Sequence, residues 1–149
     1  TSSPNVPAEL LMTAPKDPNG LQGLSELSEL LQSMKPCLTD RDFVFCSVQG
    51  SLNEYVRLEP VATVRESEGL TLVLPLPVAE REKLGFNGVF RQITLSVHSS
   101  LEAVGLTAAV SRLLADHGIA ANILAGYYHD HIFVPRDKAD VALSILQRI

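Results

Sequence analysis

The chain has 149 residues, 46% of them hydrophobic and 19% charged, with a formal net charge of -5. This balance excludes a disordered chain and supplies a core, built mostly of Leu, Val, Ile and Ala because aromatic residues make up 5% and Trp is missing. No Lys/Arg stripe, no basic amphipathic helix and no apolar run near the ~20 residues of a membrane span is present, so neither nucleic acid nor membrane is an expected partner. The N-terminus lacks a signal-peptide pattern, and a cytoplasmic location is expected. In that compartment Cys37 and Cys46 are expected to be reduced, fairly buried thiols. They form no CxxC or Cys/His zinc spacing, so no metal or other cofactor is expected.

Residues 1–20 carry Pro4, Pro7, Pro15, Pro18 and the turn signal Asn19-Gly20, and predict a mobile arm. Leu24, Leu27, Leu30, Leu31 and Met34 recur at helical spacing, and Pro36 ends that stripe. Residues 43–48 read as a buried strand. Residues 61–65 and 70–74 read as strands joined by a hairpin turn at Glu66-Ser67-Glu68-Gly69. Residues 77–84 predict a short helix, with Pro77 tolerated in its first turn and Gly85 and Gly88 beyond its end.

The second half has sharper periodicity. Ile93, Leu95 and Val97 alternate with Thr94 and Ser96 as in a half-buried strand. Leu106, Ala109, Val110, Leu113 and Leu114 form a core-facing helix stripe, closed by His117-Gly118. Ile119, Ala121, Ile123 and Ala125 alternate again. Residues 132–134 form a strand that Pro135 stops, and Ala139, Ala142, Ile145, Leu146 and Ile149 make the last helix stripe.

The halves thus read α-β-β-β-α and β-α-β-β-α, dividing the chain into an arm at 1–20 and units at 21–88 and 89–149. The pattern predicts an α+β fold of ferredoxin-like (βαββαβ) type, with mostly antiparallel sheet and helices on one face. The second unit lacks only its last strand, and a strand of the first unit is expected to supply it.

Two segments concentrate groups able to bind a ligand. Ser99-Ser100-Leu101-Glu102-Ala103-Val104-Gly105-Leu106-Thr107 links a strand to a helix. Free N–H groups at a helix start favour an anion, and Gly105 admits close approach to the backbone. Gly126-Tyr127-Tyr128-His129-Asp130-His131 gathers aromatic, basic and acidic groups in one hairpin. His129 and His131 would share one face of an extended chain, with Asp130 on the other. His-x-His lacks the further ligands that zinc requires. His98, Ser99, Ser100, His129 and Asp130 supply triad residue types without a nucleophile elbow, so no catalytic residue is assigned. The bland alternatives are a capped turn and a solvated hairpin.

These two segments, with Asn122 and the run to Pro135, resemble the small bacterial-type tandem ACT proteins. The run Asp130-His131-Ile132-Phe133-Val134-Pro135 is more distantly similar to the ACT units of the animal CASTOR arginine sensors. The first half resembles an ACT unit less sharply, through Pro36, Phe43-Val44-Phe45 and Gly69-Leu70-Thr71-Leu72-Val73-Leu74, and residues 1–20 fall outside the resemblance. The resemblance implies a non-catalytic regulatory protein that binds a small molecule, typically an amino acid. The implied site comprises Val104, Gly105, Leu106, Thr107, Asn122, Tyr127, Tyr128, His129 and Asp130. Helix-start amides would take a carboxylate, Asp130 the cation, and Tyr127 or Tyr128 would wall the pocket. Sheet edges predict a homodimer. A protein-interaction module without a ligand, and a small enzyme using His129, Asp130 and His131, remain open.

Overall fold

The structure, a computed structural model, describes residues 32–96 and 105–148. The arm at 1–20, most of the first helix stripe, the residues from Val97 to Val104, and Ile149 lie outside the described residues. Among the described residues the main elements are, in order, β1 (Pro36–Val48), β2 (Ala62–Arg65), β3 (Leu70–Pro75), α1 (Leu76–Arg81), β4 (Phe90–Leu95), α2 (Leu106–Asp116), β5 (Asn122–Ala125), β6 (Asp130–Pro135) and α3 (Ala139–Gln147). The strands form one sheet in the order β2-β3-β1-β4-β6-β5, every neighbouring pair antiparallel. In this order β1 lies beside β4, where the second unit needs its last strand, and β4 in turn flanks β1. The expected shared sheet is therefore reciprocal, and the two units form one α+β body.

Alternation along the strands sorts the two faces. Val44, Cys46 and Val48 of β1 stand opposite Leu74, Leu72 and Leu70 of β3, and Ile93 of β4 stands opposite Ile132 of β6. These residues are buried under the helices, α1 over β1 and β3, α3 over β1, β4 and β6. Val110 and Leu114 of α2 and Ala142 and Leu146 of α3 close the larger cluster, the i, i+4 spacing placing each pair on one helix face. Phe43, Val73 and Phe133 point to the opposite face. There the Phe133 ring meets those of Phe43 and Phe45 edge-on at 5.6 and 5.5 Å. That face carries no described helix. The sheet curls instead, so that its edge strands β2 and β5 line one common cavity.

The expected strand at 43–48 is longer than its apolar run. Pro36 does end the helical stretch, but it also opens β1 as a first strand residue, a position that proline tolerates. The added part is polar and breaks register between Leu38 and Asp42. Arg91 Nε donates to the Thr39 carbonyl there at 3.1 Å, satisfying an oxygen that the irregular strand leaves outside the ladder. The helix expected over 77–84 ends at Arg81. Lys83 takes the left-handed φ of 56°, and the Leu84 N–H returns to the Ala79 carbonyl at 2.9 Å. Gly118 plays that part after α2, with φ 69° and Ile119 N–H donating to Leu114 O at 2.9 Å. Cys46 is buried, which pushes its thiol pKa up, whereas Cys37 is exposed rather than buried.

Candidate functional site

The implied site comes together only in part. On β6, Asp130 shares a face with Ile132 and Val134, whose burial against the helices turns Asp130 toward α2. Leu106 and Thr107 at the start of α2 and Asp130 at the start of β6 consequently line one crevice, with Leu95 and Ile132 beneath. The crevice is closed, its cavity volume being about 0 Å³. The start of a helix presents partial positive charge, and the carboxylate is the opposite pole. The two ends of a zwitterion match these poles.

Gly105 is the residue before α2, with φ 99°. A Cβ there would meet no atom within 4 Å among the described residues. The position therefore favours glycine for its backbone angle rather than for crowding by the protein. Val104 lies outside the described residues.

The hairpin behaves differently from its expected role. Gly126 N–H donates to His129 O at 2.9 Å and closes the turn. Tyr127 and Tyr128 occupy the tip, 73% and 64% exposed, with their rings packed edge-on at 5.0 Å. Neither lines the crevice. His129 sits in the turn, its Nδ1 buried without a hydrogen-bond partner among the described residues. Asn122 stands on the helix-free face, opposite Phe133 in register, and its Nδ2 donates to the Phe133 carbonyl at 3.4 Å. It borders a separate cavity of about 620 Å³ with Phe45 and Phe86. Asn122 therefore lies on the other side of the sheet from Asp130, because residues an even number apart on paired strands keep to one face and Asp130 is out of phase.

Sequence reasoning missed Gln92 and Thr94. They sit out of phase with Ile93 and Leu95, and that alternation was the available signal. In the fold both hydrogen-bond His131 on the helix-free face. Among the described residues no group of three or more His, Cys, Asp or Glu side chains is gathered to hold a metal ion. No described helix is long and apolar enough to cross a membrane.

Comparison with known proteins bears on this arrangement. ACT-domain profiles match residues 22–91 and 89–148. A Vibrio cholerae protein of unknown function, described as a possible transport protein, is 58% identical. Its structure superposes with a TM-score of 0.76, covering 83% of this chain and 95% of that one. The ligand-free regulatory subunit of aspartate kinase from Thermus thermophilus is 9% identical with a TM-score of 0.57, over 76% of this chain and 94% of its own. An Agrobacterium tumefaciens protein is 11% identical with a TM-score of 0.60, over 74% and 84%. The last two likenesses concern the fold alone. No curated protein matches the chain. With both halves matched in tandem and the strands shared between them, the chain belongs to the ACT-domain family.

Proposed function

We propose that the protein is a non-catalytic regulator that binds a small zwitterion, an amino acid, in the crevice between the start of α2 and Asp130. One observation carries this reading: a helix start and a carboxylate of opposite polarity line the same crevice. Membership of a family of regulatory domains supports it. Amides of Leu106 and Thr107 would take the carboxylate, and Asp130 the ammonium or guanidinium group. The crevice volume is about 0 Å³, so a ligand must widen it. A widening that displaces α2 is a two-state change that a ligand can bias, which is what a regulator requires.

The test is a thermal-shift screen of the full chain with the proteinogenic amino acids, since a ligand bound only to the folded state raises the melting temperature. One amino acid should stabilise the parent. Asp130→Asn keeps the shape and removes the charge, and a charge-assisted contact is worth about 1.5–3 kcal/mol. The variant should bind that amino acid roughly tenfold to a hundredfold more weakly. Parent-like affinity in a folded variant would refute the role of Asp130, and no stabilisation by any amino acid would refute the reading itself. Self-association through the sheet edges belongs to the same proposal, because β2 and β5 end the sheet. A monomer mass by light scattering at micromolar concentration and above excludes it.

A further inference from the structure

We propose that the cavity on the helix-free face is a second ligand site, for a small, mostly apolar molecule bearing one hydrogen-bond-accepting oxygen. The site follows from register. Thr94 pairs with His131 and Gln92 with Phe133, so three polar side chains and an aromatic ring meet on the face opposite Ile93 and Ile132. The curl of the sheet brings Ala62 and Val64 of β2 across from Leu124 of β5, and Gln92, His131 and Phe133 are among the other residues that line the space. The cavity volume is about 330 Å³. That lies at the small end of the range of roughly 300–1,000 Å³ usual for small-molecule sites.

The polar floor has a defined direction. Gln92 is 8% exposed. Its Nε2 donates to Thr94 Oγ1 at 3.0 Å and lies 2.9 Å from His131 Nδ1, with Thr94 Oγ1 at 3.0 Å from the same nitrogen. An amide nitrogen only donates, so Nδ1 accepts and the neutral ring carries its proton on Nε2. Burial, and after it the neighbouring His129, lower the His131 pKa from the ordinary 6.5, against an opposing pull from Asp130, which favours the neutral ring at neutral pH. Nε2 lies beside Gly126, where an added Cβ would come within 3.2 Å of it. Among the described residues none bonds Nε2, although both of the other polar groups are engaged.

His131 is half-buried, and its Nε2 is not among the buried side-chain atoms left without a partner, so this donor faces accessible space where a ligand can reach it. Two polar groups hold the imidazole by Nδ1, and the ring lines the cavity together with the alkyl side chains of Ala62, Val64 and Leu124. A carbonyl or carboxylate oxygen satisfies that donor, and Ala62, Val64 and Leu124 accommodate a short branched chain. A cation finds no counter-charge on this floor. The site is distinct from the zwitterion crevice: Asp130 and His131 are adjacent on β6 and face opposite sides of the sheet.

The experiment is a titration of the isotope-labelled full chain with isovaleramide, isovalerate and isopentylamine, followed by NMR at the His131 ring nitrogens, the Leu124 methyls and the Leu106 and Thr107 amides. Isovaleramide and isovalerate should shift His131 Nε2 and Leu124 to saturation and leave Leu106 and Thr107 in place, and isopentylamine should shift none of them. Val64→Trp replaces a 47% exposed side chain and fills the cavity from its rim, so the fold survives and binding should weaken at least about tenfold. His131→Leu removes the single donor and should weaken isovaleramide about threefold to tenfold. The proposal is overturned by equal binding of isopentylamine, by unchanged binding in folded Val64→Trp, by no saturable shift, or by shifts confined to Leu106 and Thr107. The last result would leave the crevice reading standing.

Discussion

Ala62 to Pro75 and Asn122 to Pro135 trace the same figure at opposite ends of the sheet: an edge hairpin, a proline and a helix. Glu66 N–H donates to Gly69 O at 2.9 Å in one turn, and Gly126 N–H to His129 O at 2.9 Å in the other. The connection before the hairpin differs. Between β4 and β5 the chain forms α2, 11 residues long. Between β1 and β2 it makes two single 3-10 turns, Leu52–Glu54 and Val56–Leu58, of which only Leu58 is buried. Arg57 ties the second turn to the end of α1 through two hydrogen bonds to Glu82, at 2.9 and 3.1 Å. That guanidinium holds the Glu82 carboxyl below its usual pKa. Where the second unit starts its last hairpin strand with Asp130, the first starts with buried Leu70. The first unit therefore has a 3-10 turn in place of the α-helix start, and Leu70 in place of the Asp130 carboxylate. The two halves share a frame, and Asp130 and Thr107 line a mostly apolar crevice in the second.

The largest effect that tests this comparison is truncation beneath the two unlike connections. Leu114→Ala empties a fully buried position under α2 and should cost about 2–5 kcal/mol, and Leu58→Ala under the 3-10 turns should fall toward the lower end of that range. Because β1 and β4 are common to both units, each variant should still unfold in one transition in guanidinium, by circular dichroism and tyrosine fluorescence alike. Two separated transitions would mean that the units are independent.

A second test contrasts two glycines. Gly105, at φ 99° before α2, should lose about 1–2 kcal/mol on replacement by Ala. Gly85 after α1 has no such angle and open space around it. Gly85→Ala should be neutral or stabilise by roughly 0.4–1 kcal/mol through the unfolded chain. Equal denaturation midpoints for the two variants would remove the special status of the α2 start.

Titration sharpens the contrast between the two hairpins, since the first has Thr71 where the second has His131. The His131 pKa is lowered in the folded protein, chiefly by burial, so the unfolded chain takes up its proton first. Stability linked to this residue is present above 6.5 and declines as pH falls through and below that value. His131→Gln should show a shallower loss of melting temperature on acidification; an unchanged slope would show that His131 is not perturbed. The smallest effect belongs to the solvent side of α2, where Arg112 and Asp116 pair at 3.2 Å with exposed side chains. Arg112→Ala should cost at most ~0.5 kcal/mol and less in high salt. A larger loss, measured by denaturant unfolding at low and high salt, would mean that the helix depends on its outer face as well as on Leu114.

The amino-acid sequence by itself determined what short-range periodicity can encode. Leu106, Val110 and Leu114 had to form one face of a helix, Gly118 had to end it, and Leu70, Leu72 and Leu74 had to share one side of a strand. The opposition of Asp130 to His131 was legible too, because successive strand residues point to opposite faces. Tertiary structure decided which partner lay on each face. Nothing local in Pro36-Cys37-Leu38-Thr39-Asp40 announces a strand; it becomes one because the open edge of β4 offers backbone partners to it. Asn122 falls away from the crevice for a similar reason: its phase in β5 is local, whereas the crevice is defined by α2 on the far side of the sheet. Gln92, Thr94 and His131 meet only through the pairing of β4 with β6, and the space above them exists only because the sheet curls until β2 and β5 face each other. Alternation specifies that a face exists, and long-range strand order with accumulated twist specifies what covers it.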